Sequence, residues 1–268
     1  MTEGWTDGSE DAVAGRPWRR GRSWSWLIAV VVVAALAVVA WFLGEWIARD
    51  IVTKTVRQTV VTTFALPADQ DVRVEVAGQV LPQLVSGTLE DVRVSTRDAS
   101  IGGVTADVAV DLKDVRYREG GAMSAGVAVV TLDERELRAL LDDVDGIPAA
   151  SIGLASPDVT ATTELSAFGA TVPIGLSLTP GASHGALVLS PDAFTLGGAT
   201  ISAADLRARF GSVADAVLRD RTVCIADDLP KGLTLSDVRV TDDRLVSRFE
   251  IDGRIAVDPS LQQKGTCA

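Results

Sequence analysis

One segment restricts the folds open to this chain more than any other, because it runs for twenty residues without a charge. Residues 24–43 read WSWLIAVVVVAALAVVAWFL. At 1.5 Å per residue, a helix of this length spans about 30 Å, the thickness of the hydrocarbon core of a bilayer. Trp24 and Trp26 lie at one end of the run, and Trp41 and Trp46 lie at or just beyond the other. Tryptophans favour the two membrane interfaces, so the segment is predicted to be a transmembrane helix.

The charges on the two flanks predict its orientation. The N-terminal side carries Arg16, Arg19, Arg20 and Arg22, whereas the far side carries Glu45, Arg49 and Asp50. By the positive-inside rule, residues 1–23 form a cytoplasmic tail and the rest of the chain lies outside a cell membrane that it crosses once. A cleaved signal peptide is the alternative, since Val38 and Ala40 satisfy the small-residue rule. However, the apolar run is longer than an ordinary signal sequence.

The charge and the metal ligands exclude several functions. The net charge is −11, with 25 basic and 36 acidic residues, which argues against a nucleic-acid partner because phosphates attract basic faces. One histidine and two cysteines nearly exhaust the softer metal ligands, so no metal or other cofactor is predicted. The residues after Trp46 contain no tryptophan and therefore lack the usual stacking platforms of a sugar site.

The periodicity of the apolar residues divides the exported part. Residues 44–64 place aliphatic side chains at helical spacing and are predicted to be a juxtamembrane helix. From Val72 onward the pattern has period two, and Asp-Val-Arg-Val occurs at 71–74, 91–94 and 237–240. This alternation is typical of half-buried antiparallel strands. Further strands are predicted at 104–112, 125–131, 158–164, 171–178, 185–190 and 245–257.

The predicted fold class is therefore α+β and rich in strands, with a domain at 65–258 and a C-terminal tail at 259–268. Two helices are expected within the domain, one after Thr131, which has capping-box spacing to Glu134, and one after Ser202. Short motifs recur between residues 65–150 and 151–258, so two similar halves are a further hypothesis.

Three motifs resemble a known family. Residues 81–87 read LPQLVSG between two strands, residues 229–235 read LPKGLTL before another strand, and Gly185, Leu187, Leu189 and Pro191 follow the pattern Gly-x-Leu-x-Leu-x-Pro. Together they resemble the LmeA-like phospholipid-binding domains of actinobacterial envelope proteins, over residues 48–258. One position departs from the family pattern, because Leu81 stands where Phe is usual.

The resemblance implies a tubular lipid-binding fold, in which a curved antiparallel sheet and a few packed helices hold acyl chains between them. Valine-rich strand faces agree with an aliphatic site. The candidate lipid contacts are Val74, Val76, Leu81, Leu84, Val92 and Val94. The predicted function is a membrane-anchored, extracytoplasmic phospholipid-binding protein for lipid handling or cell-envelope maintenance, without catalysis. A structural or assembly scaffold of the envelope, with an unknown protein partner, is the alternative.

Two motifs suggest chemistry that their context argues against. Residues 181–185 match G-x-S-x-G, but predicted strands lie on both sides, whereas a nucleophile elbow needs a helix after the serine. The only histidine, His184, is adjacent to Ser183, where a catalytic base rarely reaches. The acidic run 142–146 lacks the ligand spacing of an EF-hand. A hydrolase and a calcium site are therefore disfavoured.

The two cysteines predict one covalent link. Cys224 and Cys267 are the only cysteines in the chain, and both lie on the side expected to be oxidising. We expect them to form a disulfide that ties the C-terminal tail to the segment before Leu229.

Overall fold

A computed structural model describes residues 22–63, 67, 70–101, 104–141, 152–167 and 170–266. The predicted N-terminal tail up to residue 21, the acidic run 142–146 and Cys267 lie outside the described residues. Two compact units divide the chain, residues 1–46 and 47–268. The predicted transmembrane and juxtamembrane helices are one helix, α1 (Arg22–Thr63).

The N-terminal part of α1 is apolar and exposed. Its side chains from Val30 to Leu43 are all exposed. Residues Val30–Thr59 are long and apolar enough to cross a bilayer, and their most apolar 18-residue stretch has a mean hydropathy of 2.3. A signal sequence near the N-terminus can meet the same criterion of length and hydropathy, so this observation alone does not separate the anchor from the cleaved leader.

Strands dominate the rest of the chain, which confirms the predicted β-rich fold with few helices. In chain order they are β1 (Val72–Val76), β2 (Thr88–Ile101), β3 (Val104–Arg116), β4 (Ala125–Asp133), β5 (Ile152–Ala155), β6 (Asp158–Ala167), β7 (Ala170–Ser183), β8 (Ala186–Leu196), β9 (Ala199–Ser202), β10 (Arg221–Val223), β11 (Leu233–Thr241) and β12 (Arg244–Ile251). The short helices are α2 (Val80–Ser86), α3 (Glu134–Leu141), α4 (Ala203–Phe210) and α5 (Ser212–Val217).

These strands form two antiparallel sheets. The first sheet has the order β1-β2-β3-β4-β12-β11, and the second has the order β10-β8-β7-β6-β5 with β9 also paired to β8. The strands do not divide between the sheets at residue 150, because β11 and β12 return to the first sheet. Duplication of the two halves stays a prediction.

The sheets meet where β11 crosses one end of the second sheet. The Ser156 hydroxyl, in the turn between β5 and β6, donates to the Val240 carbonyl at 3.2 Å. A Cβ placed on Gly185, in the turn between β7 and β8, would lie 3.5 Å from Cγ2 of Thr234. The turns at this end of the second sheet therefore lie along β11.

Side chains from helices cover the outer edges of two strands. Arg49 of α1 donates to the carbonyls of Val76 and Gly78 at 2.9 and 2.7 Å, and Arg57 donates to the Gln70 carbonyl at 3.0 Å. At β5, α3 fills the same role. Glu134 accepts from the Leu154 N–H at 3.1 Å, and Arg138 donates to the Ile152 carbonyl at 2.6 Å. Both strands thus have hydrogen-bond partners on their unpaired side.

Three sequence expectations need correction. The capping box of α3 is formed by Asp133 and Glu136 rather than by Thr131 and Glu134. The Glu136 N–H donates to Asp133 at 2.8 Å, and the Asp133 N–H donates to Glu136 at 2.6 Å. The reason is that β4 continues to Asp133, with Thr131 still paired in the sheet.

The other two corrections concern an overlong strand and an unpredicted helix. The last strand ends at Ile251 instead of residue 257, since the following backbone bonds close turns, such as Ile255 N–H to the Asp252 carbonyl at 3.0 Å. Helix α2 was not predicted at all. The predicted cap of α4 is confirmed, because the Ser202 side chain accepts from the Asp205 N–H at 3.0 Å.

Candidate functional site

The six predicted lipid contacts lie together between helices and the first sheet. Val76 and Val92 belong to one buried cluster with Ala48 and Val52 of α1 and Val80 of α2, and Leu81, Leu84 and Val94 pack against it. Val74 belongs to an adjoining buried cluster with Val72, which Val94 also contacts. These side chains form the core that joins α1 and α2 to β1 and β2. Lipid contact by any of them stays a prediction.

Hydrogen bonds and backbone geometry at this site account for two residues of the LPQLVSG segment, Gln83 and Gly87. The Gln83 side chain is 6% exposed. Its amide group donates to the Ala77 carbonyl at 2.8 Å and accepts from the Glu90 N–H at 3.0 Å. Gly87 ends α2 with φ of 87° and donates to the Gln83 carbonyl at 3.0 Å. Gln83 therefore ties the end of β1 to the start of β2 across the helix.

The register of the first sheet defines one apolar face. A row of directly opposed residues crosses all six strands: Val74, Val94, Val110, Ala128, Phe249 and Leu235. Opposed residues in an antiparallel pair lie on the same face. Helices cover the β1 end of this row, and Leu235 at the β11 end is 3% exposed. Val110, Ala128 and Phe249 in the middle are only half-buried.

The second sheet has an equally apolar face. The opposed row is Ile152, Ala161, Leu176, Phe194 and Ile201, through β5, β6, β7, β8 and β9. Four of these five residues are half-buried, and Ile152 is buried. The opposite face carries small and polar residues, such as Thr160 opposed to Ser177. A wide aliphatic surface of this kind, neither sealed as a core nor fully exposed, is suited to an apolar ligand.

The sequence contained a signal for the second face that our candidate residues missed. Along β7 every even position from 172 to 182 is aliphatic or proline, namely Val172, Ile174, Leu176, Leu178, Pro180 and Ala182. The intervening positions from 173 to 183 include glycine, serine and threonine. Alternation over this length predicts a two-sided strand with one continuous aliphatic face.

A cleft of about 620 Å³ lies beside the outer edge of β1 and is lined by charged and aliphatic residues. Arg49, Glu75 and Asp111 contribute to its wall, and so do three of the predicted lipid contacts, Val74, Val76 and Val92. Arg93 contacts Asp111 at 3.5 Å, so opposite charges are paired across neighbouring strands. The Arg93–Asp111 pair is exposed, and exposed ion pairs contribute little to stability. Charged and aliphatic side chains thus share the wall of this cleft, unlike the two sheet faces.

The G-x-S-x-G motif is a hairpin turn, as its flanking strands predicted. β7 ends at Ser183 and β8 begins at Ala186. Ser183 and His184 line a cleft of about 460 Å³ together with Asp220. Within the described residues, neither Ser183 nor His184 makes a side-chain hydrogen bond, so the arrangement that activates a serine is not formed. In the same part of the chain, no three His, Cys, Asp or Glu side chains are grouped as metal ligands.

Cys224 and the C-terminal tail lie in neighbouring parts of the fold. The Gly265 N–H donates to the Leu229 carbonyl at 2.9 Å, and a Cβ on Gly265 would lie 2.8 Å from the Ala226 carbonyl oxygen. Ala226 and Gly265 are each two residues from a cysteine. Since Cys267 lies outside the described residues, the disulfide stays a prediction, and this tail contact supports it.

Comparison with known protein families matches residues 39–250 to the LmeA-like phospholipid-binding family. This range includes the end of the apolar run in α1, both sheets and the two apolar rows. Neither the comparison with curated proteins nor that with solved structures gives a match.

Proposed function

Because the chain belongs to the LmeA-like phospholipid-binding family, we propose that it holds the acyl chains of a phospholipid on the aliphatic faces of its two sheets. The observation that carries this proposal is the unbroken apolar row from Ile152 to Ile201, most of which is only half-buried. A row that served only as core would be expected to be sealed.

The dimensions of the second sheet suit an acyl chain. β7 has fourteen residues and extends over roughly 45 Å at the usual rise of a strand. An acyl chain spans one leaflet, about 15 Å of the hydrocarbon core. Each buried methylene contributes about 0.8 kcal/mol, so contact with part of one chain suffices for binding without a charged partner.

We propose further that α1 remains attached as a single-pass anchor and that residues 47–268 lie outside the cytoplasm, in lipid handling or envelope maintenance rather than catalysis. The exposed apolar run and its flanking arginines support the anchor. The family described as phospholipid-binding supports a non-catalytic role.

The test is photolabelling of the full chain in vesicles that contain a trace of phospholipid with a diazirine on its acyl chain. After illumination and proteolysis, mass spectrometry locates the adducts. We expect adducts in α1, which serves as the internal positive control, and a second group in β6, β7 and β8. Adducts confined to α1 would contradict acyl-chain binding by the sheets.

Two adjacent residues of β7 give a matched pair of variants. Leu176 lies in the apolar row and Ser177 lies on the opposite face. Leu176→Asp places a charge against the proposed acyl chain and should abolish the second group of adducts. Ser177→Asp places the same charge on the polar face and should retain them. Circular dichroism of both variants checks that the strands are intact.

A further inference from the structure

An exposed apolar corner lies between α4 and α5. Residues 209–213, Arg-Phe-Gly-Ser-Val, are all exposed, and the side chains of Phe210 and Val213 are 57% and 73% exposed. Two large apolar side chains projecting from one tight turn are unusual on a protein surface that faces only water.

The fold holds this corner in place, so its exposure is not that of a loose loop. The Gly211 N–H donates to the Arg207 carbonyl at 2.9 Å, and the Ala214 N–H donates to the Gly211 carbonyl at 3.0 Å. Arg207 also pairs with Asp215 at 3.0 Å, which braces α4 against α5. Ala214 and Leu218 are 3% and 6% exposed and fix α5 to the domain. One side of this segment, with Ala214 and Leu218, is thus buried in the domain, and the other side, with Phe210 and Val213, is exposed to solvent.

The segment that contains the corner has a charge opposite to that of the chain. Residues 203–223 contain four arginines and three aspartates, a net charge of +1, whereas the whole chain has −11. Arg209, Arg219 and Arg221 are exposed. Basic residues beside exposed apolar side chains are the combination that binds an anionic membrane surface, where each Lys or Arg contributes about 1 kcal/mol.

We propose that this corner is a docking surface for an anionic phospholipid bilayer, with Phe210 and Val213 inserted among the head groups and with Arg209 and the other exposed arginines of this segment on lipid phosphates. It goes beyond acyl-chain binding, because the residues concerned lie outside the two apolar rows. α4 follows β9 directly, so docking here would bring the second sheet to the membrane from which a lipid enters or leaves.

The test places a fluorescent reporter in the corner of the full chain. Ser212→Cys is labelled, without reductant, with a nitrobenzoxadiazole dye that brightens in an apolar phase. The chain is reconstituted in phosphatidylcholine nanodiscs and titrated with phosphatidylglycerol vesicles. A second arm uses nanodiscs that contain both lipids, to detect docking on the protein's own bilayer. We expect brightening in at least one arm, weakened by salt because the attraction is electrostatic.

Matched variants decide the role of the side chains. Phe210→Ser with Val213→Ser should weaken vesicle binding by about tenfold or more, given the apolar area withdrawn. Val85→Ser is the control, because Val85 is 72% exposed on α2, outside the corner, and it should leave binding unchanged. No brightening in either arm, no effect of the double variant, or equal brightening with pure phosphatidylcholine would overturn the proposal. Acyl-chain photolabelling of the same variants reports on the proposed function separately.

Discussion

The two hydrogen bonds of Gln83 lead to a quantitative prediction. Gln83→Met keeps the volume of the side chain and removes both bonds, which leaves the Ala77 carbonyl and the Glu90 N–H without this partner. An unpaired buried polar group costs about 1–3 kcal/mol. Both bonds are only partly buried, so water recovers some of this. We expect a loss of about 2 kcal/mol in unfolding free energy, which lowers Tm by about 4–8 °C in a domain of this size.

Gln83→Glu separates the two bonds. Its carboxylate still accepts from the Glu90 N–H but repels the Ala77 carbonyl, and burial with this repulsion raises the pKa of the introduced carboxyl. A group with a raised pKa contributes its stability below the unfolded-state pKa and loses it as pH rises through the folded-state pKa. The unfolding free energy of Gln83→Glu should therefore approach that of the wild type on acidification, when the protonated carboxyl donates to the Ala77 carbonyl.

The assay is thermal unfolding of the full chain in a neutral detergent, followed by circular dichroism at several pH values. Gln262→Met is the control, because Gln262 donates one exposed bond, to the Ile255 carbonyl at 2.9 Å, and it should leave Tm within about 2 °C, as expected for an exposed site. A Tm of Gln83→Met equal to that of the wild type would refute this reasoning. So would a Tm difference between Gln83→Glu and the wild type that grows as the pH is lowered.

Three further predictions concern the acid limit, the cysteines and the topology. The backbone N–H of Glu136 and the Arg135 side chain hold the pKa of Asp133 below its usual value. The stability that the Asp133 carboxylate contributes is therefore present above its unfolded-state pKa and is lost as pH falls through its folded-state pKa. Asp133→Asn should make Tm fall less steeply with acidification than in the wild type, and an unchanged slope would contradict this. Intact mass after alkylation without reductant should show no alkyl group on Cys224 or Cys267, whereas two would exclude the disulfide. Protease added to intact spheroplasts should digest residues 47–268, and protection of this domain would reverse the proposed orientation.

Much of the fold could be predicted because strand alternation is local. The pattern at Val72, Val74 and Val76 is reproduced as buried positions on β1, and the capping residue Ser202 begins α4 as expected. Helix α2 was missed because Pro82 and Gly87 indicate a turn when read alone. In the structure Pro82 occupies the first turn, where a missing N–H has no cost, and Gly87 ends the helix.

The candidate site was predicted only in part, because the sequence does not say which apolar face is covered. The candidates from Val74 to Val94 were chosen near the family signature, and α1 and α2 pack directly on them. The half-buried apolar row through Leu176 and Phe194 has the same alternation of apolar and polar residues as the strands of those candidates. Whether other elements cover this row depends on which strands become neighbours in the fold. Pairing of β12 with β4, more than 100 residues earlier, returns β11 and β12 to the first sheet and is likewise a long-range event that local periodicity does not encode.

The arginines that α1 places on the outer edge of β1 also determine what a proteolytic cut in α1 would expose. A cut near Trp41 would free the domain with Arg49 and Arg57 still bound to the strand edge. A cut after Thr63 would remove both arginines and Val52, and β1 would then present an open edge that accepts a strand from another molecule. A cut on the N-terminal side of Ala48 therefore keeps the edge of β1 covered, whereas a cut beyond α1 opens it to pairing with another chain.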